Sequence, residues 1–308
     1  MNLQDKTMDV AAVSIAQTGI GYRRLIGFLL LCLVPLAIAW DSMGEISRLV
    51  LENGTFSAAP LIPMVSAFLI YTDRRAIFSR VSFGWIPGAA MIVPGLVFID
   101  LVRLNVWKLS GANQCALLIF GILLVWAGAF GLFFGTNAAR AARFPLLFLI
   151  FAVPIPEPFL SKITELLQAG SAEVAEWFFK LGGIPYFRKD FVFALPGVTI
   201  RVADECSGIR SSLALLITTV LAAHLFLRST WRKLLLCAVV IPLAVLKNGL
   251  RIMTLSVLSI YVNPGFLYGN LHRRGGIVFF AIALVPLVFL LAFLQRGERP
   301  RTSAAKVA

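Results

Sequence analysis

Eight apolar runs, near residues 25–40, 56–71, 83–102, 114–135, 144–160, 208–227, 234–260 and 275–294, leave this chain few folds to adopt. A hydrocarbon layer about 30 Å thick takes about twenty apolar residues in a helix. With 59% hydrophobic and 14% charged residues and a mean hydropathy of +0.88, no single water-soluble core takes in so much apolar surface. The pattern predicts an all-α polytopic membrane protein of about eight transmembrane helices. The second and fifth runs are the weakest, being short and proline-bearing.

The formal charge of +13, from 28 Lys and Arg against 15 Asp and Glu, suggests nucleic acid in a soluble domain. Here the basic residues sit in alternate links between apolar runs: Arg74, Arg75 and Arg80; Arg140 and Arg143; Arg228, Arg232 and Lys233; Arg296, Arg299, Arg301 and Lys306. That is a topology signal, which places these links and both termini in the cytoplasm and gives nucleic acid no role. The links carrying Asp41, Glu45 and Glu52, and the stretch 161–205, then face outward. The first 24 residues are polar and mixed, which predicts a cytoplasmic tail and no cleaved signal peptide. Residues 25–294 are expected to form one membrane-embedded domain and 295–308 a second cytoplasmic tail.

Within the outer stretch, Ile163, Leu167, Val174, Trp177, Phe178 and Leu181 recur at helical spacing opposite Glu165, Glu173 and Glu176. A helix over 159–182 lying on the membrane surface is expected. Phe191, Phe193 and Leu195 then alternate with smaller residues, Pro196-Gly197 turns the chain, and Val198, Ile200 and Val202 resume the alternation. A short extracytoplasmic β-hairpin would deliver the next segment to the outer boundary.

That segment, Ala203-Asp204-Glu205-Cys206-Ser207-Gly208-Ile209-Arg210, crowds a thiol, two acids and a guanidinium ahead of the sixth run. Arg210 lies one turn below Cys206 at i+4. The seventh run enters from cytoplasmic Arg232 and Lys233, so Asn248 and Arg251 lie about 24 and 28 Å along it, near the outer surface and on one face. His272 falls in the outer link before the last run. His224 is about 27 Å along the sixth run from Cys206 and does not join it. Cys206, Arg251 and His272 therefore meet at one depth and on one side. A histidine that takes the thiol proton, or a cation that stabilises the thiolate, makes cysteine a useful nucleophile. A fixed guanidinium holds an oxyanion or a carboxylate.

Each residue has a plainer reading. A cysteine at a helix start is often a small buried hydrophobe, as Cys32, Cys115 and Cys237 are read here. Arg210 and Arg251 also suit snorkelling to the interface, and His272 beside Arg273 and Arg274 suits a lipid headgroup. Asp204 and Glu205 suit assisting His272, or recognising basic residues around a substrate, or disfavouring the thiolate. Asn248 either orients a catalytic group or bridges helices. Two distant histidines without a Cys-x-x-Cys or His-Glu-x-x-His pattern predict no metal, and no phosphate-binding loop is present, so no cofactor is expected.

At Cys206-Ser207-Gly208 with Arg210, at Asn248-Gly249-Leu250-Arg251 and at His272, the sequence resembles the exosortase/archaeosortase family, in its histidine-containing branch. The resemblance is specific over 195–280 and architectural before it. It implies a thiol protease and transpeptidase of the bacterial inner membrane that recognises a C-terminal sorting signal: a motif such as Pro-Glu-Pro, a transmembrane helix and a basic tail. It implies Cys206 as nucleophile, His272 as general base and acid, and Arg251 as transition-state or substrate stabiliser. Arg210, Asn248, Glu205 and Asp204 would support them. The implied partners are membrane-anchored exported proteins, membrane lipids and an acceptor such as an exopolysaccharide or lipid. Some relatives carry a further soluble C-terminal domain; only about fourteen residues follow the last run here, and none is expected. A transporter or lipid-handling carrier, binding an anionic group through its outer-leaflet arginines, is the competing class.

Overall fold

The apolar runs fold as helices wherever proline and length allow. A computed structural model describes residues 21–42, 44, 58–79, 81–202, 208–267 and 276–298. Its helices are α1 (Tyr22–Ile38), α2 (Leu61–Thr72), α3 (Arg74–Ile77), α4 (Trp85–Arg103), α5 (Gly111–Ala141), α6 (Arg143–Phe148), α7 (Glu157–Leu181), α8 (Ile209–Phe226), α9 (Thr230–Tyr261) and α10 (Gly276–Arg296). Three strands, β1 (Phe187–Lys189), β2 (Val192–Leu195) and β3 (Val198–Arg201), stand between α7 and α8.

This is the all-α polytopic membrane architecture expected, but a count of eight spans is not confirmed. Among the described residues five helices, α4, α5, α8, α9 and α10, are long and apolar enough to cross a membrane. A sixth span results if the helices flanking the break after Ala152 count as one. The remaining runs fall short for physical reasons. α1 has 17 residues and α2 has 12. The fifth run tightens into a 3₁₀ turn at Leu149–Ala152 and then meets Val153-Pro154-Ile155-Pro156. Each proline lacks an N–H and pushes the residue before it out of the helical region, so the helix ends there.

The contacts divide the chain into two compact units, Met1–Glu157 and Pro158–Ala308. In the first, α4 and α5 approach backbone to backbone along small-residue faces. A Cβ on Gly95 would stand 2.9 Å from the Gly121 carbonyl oxygen, and one on Gly128 would stand 2.8 Å from that of Gly88. Such close contact is how apolar helices associate where lipid is as greasy as leucine. Phe28, Phe78, Phe130 and Phe134 cluster with centroids 5.0 to 6.0 Å apart, and Trp126 Nε1 donates to the Cys32 carbonyl at 3.0 Å.

In the second unit α7 buries Ala172, Ala175 and Phe179, whereas Ile163, Trp177 and Leu181 of the apolar spacing read from the sequence stay exposed. The hairpin expected at Pro196-Gly197 is present, pairing Leu195 with Val198 and Phe193 with Ile200. β1 adds a third antiparallel strand, Arg188 opposite Phe193. Sequence pattern missed β1 because its core-facing residue is Arg188, which satisfies itself through charge. Arg188 pairs with Glu176, pairs with Glu173 at 2.8 Å, and lies 5.5 Å over the Phe193 ring. Phe179, Phe193, Leu195, Val202 and Ile252 then close a core shared by α7, the sheet and α9. Burying a side chain such as Phe193 contributes about 2 to 3 kcal/mol. A second core, built on Leu215, Leu236, Val240, Ala283 and Leu287, joins α8, α9 and α10.

Candidate active site

α9 carries Lys247, Asn248 and Arg251 within five residues, so Arg251 lies one turn from Lys247 and Asn248, at i+4 and i+3. Lys247 is 4% exposed and Asn248 1%, while Arg251 is half-buried. Three elements converge on them. Lys247 Nζ donates to Ser211 Oγ at 2.5 Å and reaches Ser212 Oγ at 3.5 Å, both on the first turn of α8. Asn248 Nδ2 donates to Ser171 Oγ of α7 at 3.0 Å. The residue that starts α8, Gly208, has φ +73°, and a Cβ placed there would stand 2.7 Å from Asn248 Oδ1. Only glycine permits both that backbone and that approach.

On the other side of the cysteine-bearing segment, Gln168 Nε2 of α7 donates to the Val202 carbonyl, and the Val202 N–H donates to Phe191 at 2.8 Å. Both flanks of residues 203–207 are thus held, Val202 against α7 and Gly208 against α9. The start of α8 also directs the positive end of its dipole to the place where Lys247 reaches it. Two basic side chains and a helix N-terminus there favour negative charge, the requirement of an acyl-transfer oxyanion.

The sequence-derived residues divide into two groups. Asn248, Arg251 and the α8 start next to Arg210 are in one place, but Arg210 itself is exposed. Cys206, Asp204, Glu205 and His272 lie outside the described residues. His224 is on the last turn of α8, about 22 Å from Ile209, apart from the site as expected. Lys247 was missed by sequence reasoning. Among the described residues it is the buried charged side chain, and its hydrogen bonds go to hydroxyls with no carboxylate among them. The signal was available: a lysine well inside an apolar run, next to an Asn-x-x-Arg pattern, is a functional hypothesis by default.

A polytopic membrane protein with a buried Lys-Asn pair and a half-buried Arg between three helices is the class these features define. The chain belongs to the transmembrane exosortase family, whose model it matches over residues 40–289. That family consists of cysteine-type transpeptidases with a sorting role in the membrane. Comparison with curated proteins and with solved structures gave no significant match.

Proposed function

We propose that the chain is a cysteine protease and transpeptidase of the inner membrane that cleaves the C-terminal sorting signal of exported proteins on the outer side and passes them to an acceptor. The contact between Gly208 and Asn248 carries this reading. Cys206 is two residues before Gly208 in sequence, and two residues span at most about 7 Å, which supports a nucleophile within reach of the Asn-x-x-Arg turn. In the mechanism His272 takes the Cys206 proton and the thiolate Sγ attacks the scissile carbonyl carbon. Arg251 holds the resulting oxyanion. Collapse breaks the C–N bond, His272 gives its proton to the leaving amine, and a thioester remains on Cys206. An acceptor nucleophile then attacks the thioester, loses its proton to His272 and releases the thiolate.

The substrate's single helix docks laterally and presents a motif such as Pro-Glu-Pro above the boundary. The acceptor is an exopolysaccharide or lipid nucleophile, and both termini of the chain are cytoplasmic. Co-expression with a tagged protein ending in a Pro-Glu-Pro motif, transmembrane helix and basic tail tests this by immunoblot. Cleavage with the wild type and none with Cys206→Ala is expected. Cleavage that persists in Cys206→Ala would remove Cys206 from the role.

A further inference from the structure

The three-stranded sheet has one covered and one open face. Strand register puts Arg188, Phe193 and Ile200 in one row toward the core, and Lys189, Val192 and Arg201 in the adjacent row toward the other side. Phe187, Ala194 and Thr199 form the next row on that open side. Every outer-strand residue of these two rows is exposed, Phe187 by 71%.

The open face is a trough. Its floor is the small side chains of the central strand, Val192 and Ala194, and its walls rise from β1 and β3. It encloses a cavity of about 680 Å³ lined by these residues together with Asp190 and Phe191 at the β1–β2 turn. Wall to wall spans two strand spacings, about 9.5 Å, the room one extended chain needs. Lys189 and Arg201 stand opposite each other across it, and among the described residues neither has an ion-pair partner. The contrast with Arg188 is informative. On the covered face the sheet's cation is neutralised by two glutamates, whereas on the open face, among the described residues, two cations stand against the one carboxylate of Asp190.

We propose that this trough docks an extended acidic segment of the protein substrate, a deepening that rests on the proposed transpeptidase reading. An extended chain lying along β2 points every second side chain to the floor. One such side chain, an Asp or Glu, fits between Lys189 and Arg201. The next, two residues away and about 7 Å along, meets Ala194 beside Phe187 and is small or apolar. Arg201 is five residues before Cys206 in sequence, so the trough leads into the segment that carries the nucleophile. A lipid phosphate would suit the two cations as well, but it brings long acyl chains, for which this face offers only Phe187, Phe191 and the short floor of Val192 and Ala194.

The test is selection from a random nonapeptide display library on the full chain carrying Cys206→Ala in nanodiscs. The recovered pool is expected to carry an acidic residue two positions from an apolar one. Enrichment should fall about tenfold or more in Lys189→Gln/Arg201→Gln, and charge-reversed Lys189→Glu/Arg201→Glu should select basic peptides. An acid-free pool, or the same acidic pool from both variants, overturns the proposal. So does an acid-free pool accompanied by dioctanoyl-phosphatidylglycerol binding that the variants lose, which gives the face to lipid. The selection needs no cleavage, so its failure is separate from a failure of Cys206-dependent processing.

Discussion

Gly208→Ala separates two costs that sequence alone merges. At φ +73° any L-residue costs about 1 to 2 kcal/mol. The added Cβ would also lie 2.7 Å from Oδ1 and 2.9 Å from Cγ of Asn248, so one of the two must move. Asn248 is 1% exposed and donates to Ser171 at 3.0 Å, so displacing its amide breaks a buried hydrogen bond, a further cost of about 1 to 3 kcal/mol. Gly197 provides the control. Its φ is +75° and nothing lies within 4 Å of its would-be Cβ, so Gly197→Ala carries the backbone cost alone. Unfolding free energies from SDS titration in mixed micelles should therefore place Gly208→Ala about 1 to 3 kcal/mol below Gly197→Ala. Reporter processing should fall in the first and survive in the second. Equal destabilisation of the two variants would refute the claim that Gly208 is seated against Asn248.

Lys247→Met should leave unfolding unchanged or raise it, because a buried charge held by hydroxyls costs more than a thioether of similar volume. Processing should nevertheless fall at least about tenfold, and processing equal to wild type would make Lys247 structural only. Arg251→Lys should lose processing while the protein stays folded by size-exclusion chromatography, since a point-charge ammonium does not reproduce a planar fork; retained processing counts against the oxyanion role. Glu298 accepts the N–H groups of Arg228 and Ser229, each at 2.8 Å, and these bonds hold its carboxyl below the ordinary value of 4.5. A depressed folded value means the stabilisation is present above about pH 4.5 and is lost as pH falls through the folded value. Melting temperature scanned from pH 7 to 3 should thus drop further for wild type than for Glu298→Gln, and identical profiles would contradict it.

Local pattern made part of this fold legible and long-range contact hid the rest. The hairpin was readable because Phe193, Leu195, Val198 and Ile200 alternate around a Pro-Gly turn, and α7 because its apolar residues repeat at helical spacing. β1 was hidden, since Arg188 reads as a surface residue until Glu173 and Glu176 of α7 are brought beside it. Counting apolar runs gave eight spans where the described helices give five or six, because a run containing Pro154 and Pro156 has membrane length without helical continuity. In the site, Asn248 and Arg251 were legible as costly residues in a greasy helix. Lys247 became meaningful only with Ser211 and Ser212, 36 and 35 residues away in the chain, beside it.

The length of α9 explains why the polar turn is where it is. Thirty-two residues make a helix of about 48 Å, about 18 Å more than a hydrocarbon layer. Counting from Arg232, Arg251 falls about 28 Å along, and ten residues follow it to Tyr261. Those last turns are covered by protein: Ile252, Met253, Val257 and Ile260 pack on Phe179, Phe193, Leu195 and Val202. The earlier turns present Leu234, Ile241 and Leu246 outward and pack with α8 and α10. Lys247, Asn248 and Arg251 therefore occupy the step between a lipid-like stretch and a protein-covered one. At that level charge is less costly than at the centre of a span. Moving the turn should test this directly. Shifting the three residues one helical turn toward Thr230, by rewriting 243–251 from Leu-Ala-Val-Leu-Lys-Asn-Gly-Leu-Arg to Lys-Asn-Gly-Leu-Arg-Leu-Ala-Val-Leu, keeps composition and helix length while placing the cations about 6 Å deeper. Processing should be lost and insertion weakened, whereas processing retained in the exchanged protein would show that depth does not set the site.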